Sequence, residues 1–388
     1  MTKTISASRY AYLDALRGIA ALIVVFHHCL LTFSSMETPD AVNLPVALLV
    51  YTPLRLLWVG QAAVIVFFVL SGFVLTVMLT RKPPLSYMGF AVKRVARIYL
   101  PYVIVVSAGI ALMSAFQARG IAGLSNWFND SWTHPVSQGL LVDHALMLGN
   151  VNYNFVDNPI WSLVHEMRYS LAFPLIVWIA KRFRPQYVLA GSLAISIAAL
   201  AGLRPLPGNQ FLDSLQYLFV FVAGAVLALH REATQVWYRQ RENRVRQLLP
   251  ALALLLLAAN GLPRRHAVVE VLVVNVIGTY LGAPLLLVCL VGARSGRAFL
   301  EHPVLLFLGR ISYSLYLSHL LVLFSLLYGF EKIAPPAVVI WFVPPAAVAV
   351  AALLYRWVEK PAMALGETAR SYVMRERFVR PERIPVAS

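Results

Sequence analysis

Apolar residues in this chain come in long blocks separated by shorter polar connections. Ten blocks approach the ~20 residues that a helix needs to cross a bilayer. They run over 12–33, 57–80, 99–116, 160–180, 187–203, 211–230, 247–262, 267–291, 303–328 and 337–358. The third, fifth and seventh are short. The segment 136–149 is apolar but carries Asp143 and His144, and reads as an interfacial or re-entrant helix. The pattern predicts an all-α fold, a polytopic transmembrane helical bundle of about ten spans.

Composition supports that reading. The 388 residues are 60% hydrophobic and only 13% charged, about half the charge of a soluble protein. Mean hydropathy is +0.71. Counting soluble domains from the length would mislead, because the length is spent on spans.

The net charge of +16 raises the question of nucleic acid, but its distribution points to a lipid bilayer instead. With the N-terminus inside, the cytoplasmic pieces hold 25 of the 33 Lys and Arg residues, and the outside loops hold six. The remaining two, Arg17 and Arg168, lie within spans. A bias that alternates at every loop follows the positive-inside rule and puts both termini in the cytoplasm. No basic, aromatic-interleaved domain stands outside the spans, so nucleic acid is not an expected partner.

The expected organisation is one transmembrane domain over 1–365 and a charged, disordered or loosely packed tail over 366–388. Asp14 and Arg17 interrupt the first apolar block, which therefore reads as a retained span and not a cleaved signal peptide. Cys29 and Cys289 lie in apolar segments and imply packing, not disulfides. The longest outside loop, 117–159, is rich in Asn, Asp, Trp and His, and loops of that length are commonly functional. Nothing in the sequence sets an oligomeric state.

Ionisable residues within spans carry the candidate chemistry, since a charge in hydrocarbon costs several kcal/mol and usually serves a function. The first span holds Asp14, Arg17, His27 and His28. Arg17 and His28 are about 20° apart around a helix and about 16 Å apart along it. One face thus presents a fixed cation in the inner half and a titratable base near the outer end. His27 is about 80° from Arg17 and is the weaker candidate. In the fourth span, Trp161 opens a stretch containing His165, Glu166 and Arg168. Glu166 is expected about 9 Å below the outer surface, at the depth of His28. Glu166 and Arg168 are about 200° apart and cannot pair, so His28 or Arg17 is the expected partner of Glu166. A carboxylate beside a histidine would orient it as in hydrolase triads.

Arg94 and Arg97 share a face at the cytoplasmic mouth of the third span. Two guanidiniums suit bidentate phosphate binding, and positive-inside anchoring weighs about equally. Ser71 and Gly72 in the second span permit close helix approach, with packing as the default reading. Tyr316 and His319 share a face of the ninth span, as an interhelical network or a substrate-lining edge. There is no phosphate-cradling Gly-Lys-Ser/Thr loop, no Asp-x-Asp pair and no His/Cys cluster with metal spacing. No metal is therefore expected. A transporter or flippase of a polysaccharide precursor is the rival class; the absence of repeats and of paired broken helices counts against it.

The ordered set of motifs resembles the acyltransferase 3 family of integral membrane acyltransferases. The matching stretches are Leu13–Gly18 with His28, Phe67–Phe73, Arg94–Pro101, Trp161–Glu166, Ser312–His319 and Val358–Pro361. Together they cover nearly the whole chain, from about Tyr12 to Pro361. The resemblance implies transfer of an acyl group, often acetyl, from acyl-CoA such as acetyl-CoA. The implied acceptor is a hydroxyl of an extracytoplasmic glycan or glycolipid: exopolysaccharide, O-antigen or lipid-linked oligosaccharide. It also implies a bacterial cytoplasmic (inner) membrane. His28 falls on the family's essential histidine and Arg17 on its arginine partner. Arg94, Arg97 and Glu166 fall on motif positions, while His165 and Ser170 depart from the usual pattern. The expected catalytic set is His28, Glu166 and Arg17, with Arg94, Arg97 and Arg17 on the acyl-CoA. Asp14, Trp161, Ser71, Tyr316 and His319 are expected to line the substrate path.

Overall fold

The computed structural model describes residues 10–36, 44–81, 86–117, 119–148, 155–202, 210–260, 276–293 and 297–379. Among them the chain is helical with no sheet; its one β-bridge joins Phe33 and Leu124. Seven helices matter most for the site: α1 (Ala11–Leu31), α2 (Gly60–Leu79), α3 (Tyr87–Phe116), α4 (Ile160–Arg182), α5 (Gln210–Leu229), α6 (Pro303–Phe330) and α7 (Lys360–Val379).

Six helical runs among the described residues are long and apolar enough to cross a membrane. They are α1, α2, α3, α5, α6 and the run Pro336–Tyr372, which continues into α7. The other four expected blocks are also helical where described. Helix α4 is 23 residues long but carries His165, Glu166 and Arg168. Pro185–Leu200 and Asn243–Ala258 are shorter, at 16 residues each. Of the block 267–291, residues 267–275 lie outside the described residues. Gln138–Leu146 forms a nine-residue helix, about 13 Å long and too short to span.

Helices α1 and α6 form the most extensive pair, and two glycines bring their backbones into contact. A Cβ on Gly18 would stand 2.5 Å from the Gly309 nitrogen, and a Cβ on Gly309 would strike the Asp14 carbonyl. Helices α2 and α5 cross in the same way, with Gly72 against Phe221 and Gly224 against Val69. Hydrocarbon is as apolar as the side chains, so close contact and dispersion hold membrane helices together, and small residues allow that contact. The Ser71-Gly72 pair is thus a packing device through its glycine.

The loop between α3 and α4 folds back onto the bundle. Ser125 Oγ donates to the Leu31 carbonyl at 2.6 Å, and Ser125 N donates to the Thr32 carbonyl at 2.9 Å. These bonds satisfy carbonyls that the end of α1 leaves open. They also seat Trp127 flat against His28, ring centroids 5.2 Å apart.

Helix α7 runs into the expected tail as far as Val379 and lies along α3. Lys93 Nζ meets Glu367 Oε2 at 2.7 Å, and Gly366 lets α7 approach Ala96. The expectation over 366–388 was a disordered or loosely packed end; within it, Glu367 pairs with Lys93 of α3. Residues 380–388 lie outside the described residues.

Candidate functional site

Two polar clusters lie along α1, one near each end. The cluster at the carboxyl end is built around His28. Its ring packs on Trp127 and against His319 of α6, 5.0 Å between centroids. His28 Nδ1 lies 3.0 Å from the Val24 carbonyl and 2.9 Å from His319 Nε2. His319 Nδ1 lies 2.8 Å from the Tyr316 carbonyl and 3.2 Å from that of Leu315. Both histidines are buried within the membrane-spanning region, at 7% and 1% exposure.

A cavity of about 360 Å³ opens beside His28. Trp127, Trp161, Tyr217 and Tyr316 supply aromatic walls, and Gln61, Asn158, His165, Gln210, Asp213 and Gln216 supply polar groups. Tyr316 bridges to α4: its hydroxyl lies 2.6 Å from Ser162 Oγ and donates to the Pro159 carbonyl at 3.3 Å. His27 also borders the cavity, but its Nδ1 donates to the Trp58 carbonyl at 2.9 Å and its ring stacks on Trp58. That is a structural histidine locked between α1 and the start of α2.

The second cluster gathers Arg17, Arg94, Arg97, Glu166 and Glu359. Arg94 Nη2 donates to Glu166 Oε1 at 2.9 Å, and Arg94 also donates to Ser170 Oγ from Nη2 at 2.9 Å and from Nε at 3.2 Å. Ser71 Oγ donates to the same Glu166 oxygen at 3.3 Å. Glu359, 2% exposed, accepts from Ser314 Oγ at 2.7 Å. Arg17 feels the charges of Arg97, Glu166, Asp14 and Glu359. Among the described residues, neither Arg17 nor Arg97 makes a hydrogen bond or ion pair, and both are partly exposed. Two uncommitted guanidiniums near enough to feel each other's charge suit an anion.

The structure redistributes the expected partners. Glu166 pairs with Arg94, not with His28 or Arg17, and His28 turns to His319 instead. The carboxylate of Glu166 lies with Arg94 of α3 and Ser71 of α2, on two helices other than the α1 of the expected pairing. Ser170, off the family pattern, holds Arg94, and His165 borders the cavity with Nδ1 2.9 Å from Ser214 Oγ. Arg168 serves structure: it donates to the Leu148 and Gln210 carbonyls and to Ser214.

Of the expected lining residues, Trp161 and Tyr316 border the cavity. Ser71 sits with Glu166, His319 stands behind His28, and Asp14 is exposed at the far end of α1. Sequence reasoning missed Trp127, His165 and Glu359 as members of these clusters. Trp127 lay in a loop flagged only as a whole. Glu359 was legible as a motif position but was placed outside the spans. No cluster of His, Cys, Asp or Glu with metal-holding geometry occurs among the described residues.

These features define a helical membrane protein with a histidine at a polar cavity and, toward the opposite end of the same helix, Arg17 within a charged cluster. The chain belongs to the acyltransferase 3 family: that family's model, described as an acyltransferase domain, matches residues 10–356. No curated protein and no solved structure matched the chain. Family membership makes the protein an acyltransferase.

Proposed function

We propose that the protein moves an acyl group, acetyl in the simplest case, from cytoplasmic acyl-CoA to a hydroxyl of an extracytoplasmic glycan or glycolipid. The observation that carries the reading is the polarity of α1. Arg17 lies within reach of the charge of Arg97 and has no bonded partner among the described residues, while His28, eleven residues on, faces an aromatic and carboxamide-lined cavity. Loop charge supports the arginine end as cytoplasmic.

Acyl-CoA phosphates meet Arg17 and Arg97, and the pantetheine arm spans the ~16 Å to His28. Arg94 acts differently from the first expectation: it holds Glu166 and Ser170. Aromatic walls accept the apolar faces of a sugar ring. Gln61 and Gln216 offer both donors and acceptors for its hydroxyls. His28 Nε2 removes the proton of the acceptor hydroxyl as that oxygen attacks the thioester carbonyl. Collapse of the tetrahedral intermediate breaks the C–S bond, and the proton on Nε2 passes to the departing thiolate. The products are an ester and free CoA thiol. Direct transfer leaves no acyl group on the protein.

The test is purified protein in proteoliposomes with radiolabelled acetyl-CoA added outside or inside and an oligosaccharide acceptor on the opposite side. The expected result is acceptor acetylation across the membrane, with thiol release that His28→Ala abolishes. Acceptor translocation without acetylation would instead establish the transporter reading.

A further inference from the structure

We infer that His319 is the positioning residue for His28: it selects which ring nitrogen stays free and shares the charge when that nitrogen takes a proton. The inference rests on His28 being the base. It follows from the acceptors around each ring. His319 Nδ1 faces two backbone carbonyls, Tyr316 at 2.8 Å and Leu315 at 3.2 Å. A carbonyl only accepts, so Nδ1 carries the hydrogen and a neutral His319 presents a lone pair at Nε2. That lone pair lies 2.9 Å from His28 Nδ1, which also faces the Val24 carbonyl at 3.0 Å. Two acceptors around one nitrogen require Nδ1 of His28 to be the N–H. The lone pair of His28 is then on Nε2, the nitrogen left for a hydroxyl.

Hydrolase triads assign this second-partner role to a carboxylate. Here no carboxylate contacts either histidine among the described residues, since Glu166 is bound by Arg94 and Ser71. The substitution suits the setting. A carboxylate buried beside His28 would itself need compensation in hydrocarbon, whereas neutral imidazole needs none. When Nε2 of His28 gains the hydroxyl proton, its Nδ1–H bond to His319 Nε2 becomes charge-assisted and strengthens. Part of the positive charge is then spread onto the second ring, which is anchored by the Tyr316 carbonyl. The proton on Nε2 leaves with the thiolate, and both rings return to their starting tautomers. Tyr316 thus has two separate duties: its carbonyl sets His319, and its hydroxyl holds Ser162 at the cavity.

The test compares His319→Leu and His319→Gln in purified protein. Gln has an oxygen that accepts from His28 Nδ1–H and an amide that donates to the Tyr316 carbonyl; Leu has neither. His319→Leu is expected to lower kcat by about 10- to 100-fold, part of the ~10²- to 10⁴-fold that general base catalysis supplies. Donor and acceptor KM should change by less than about twofold. His319→Gln should recover most of the loss. In a His28→Ala background, His319→Leu should cost nothing more, because the two residues act as a unit. Nitrogen-15 spectra of labelled histidine should show His28 protonated at Nδ1, and His319→Leu should mix the tautomers.

A kcat for His319→Leu within about twofold of wild type would overturn the inference, as would Nε2 protonation of resting His28. If His319→Leu fails to fold, the Gln variant and the wild-type spectrum decide. The two readings fail differently. Full turnover by His28→Ala removes the base itself; an inactive His28→Ala beside a fully active His319→Leu removes only the positioning role.

Discussion

Arg94 and Glu166 meet at 2.9 Å, Arg94 from α3 and Glu166 from α4, with both side chains largely buried. Ser170 and Ser71 complete the set, so each charged group has a second partner. Breaking such a pair leaves an uncompensated charge, which costs more than the pair contributes. Arg94→Ala should therefore destabilise the protein by about 3–5 kcal/mol. Arg94→Lys should restore little, since an ammonium lacks the fork that serves Glu166 and Ser170 together. The neutral double variant Arg94→Met/Glu166→Gln should recover thermal stability in detergent. A double variant no more stable than Arg94→Ala would refute the pairing argument.

Arg17 and Arg97 should behave in the opposite way. Neither is bonded within the protein among the described residues, so replacement leaves no orphaned partner. Arg17→Ala and Arg97→Ala should each weaken acyl-CoA binding by about 10- to 100-fold, the worth of one charge-assisted hydrogen bond. Melting temperature should hold. Calorimetric titration with CoA checks this, and unchanged affinity in both variants would return the arginines to an anchoring role.

The Gly18–Gly309 crossing gives a packing prediction. Gly309→Ala puts a Cβ into the Asp14 backbone, where no side chain can yield. The expected loss is at least the upper end of the ~1–3 kcal/mol that overpacking costs. Because Asp14 and Arg17 flank the crossing, donor binding should fall with it. Gly191→Ala is the control, since nothing lies within 4 Å of a Cβ there. It should raise stability by about 0.5–1 kcal/mol through helix propensity. Equal effects of the two substitutions would contradict the crossing geometry.

Asp157 sits in the loop between α3 and α4 with no exposure, and among the described residues neither carboxyl oxygen has a hydrogen-bond partner. Burial alone pushes its carboxyl well above the usual carboxylate range. A pKa raised in the folded state stabilises fully below the unfolded value near 3.8. That stabilisation is lost as pH rises through the folded value. Asp157→Asn keeps the shape and removes the titration. It should be at least as stable as wild type at neutral pH, with a flatter stability-against-pH curve. A less stable Asn variant at neutral pH would show that the ionised form is the one the loop holds.

The fold class was legible because bilayer thickness dictates block length, and hydrocarbon penalises every unpaired backbone group. Arg17 and His28 were legible because both lie on one helix, where spacing alone sets the angle and rise between them. Glu166 shows where this ends. Its being costly in a span was readable, but its partner was not, because which residue meets it depends on how α3 and α4 cross. The Lys93–Glu367 pair shows the same limit: charge along the tail was readable, but the surface it meets was not.

Periodicity and charge thus determined by themselves that this is a helical membrane protein, and which residues are too costly to be incidental. The tertiary structure alone decided who meets whom: His28 with His319, Arg94 with Glu166, Trp127 over the histidine. Hydrocarbon acts on each helix separately and leaves its mark within each block, whereas a contact between helices depends on crossing geometry. That geometry is set by small residues such as Gly18 and Gly309, whose contribution is the room they leave.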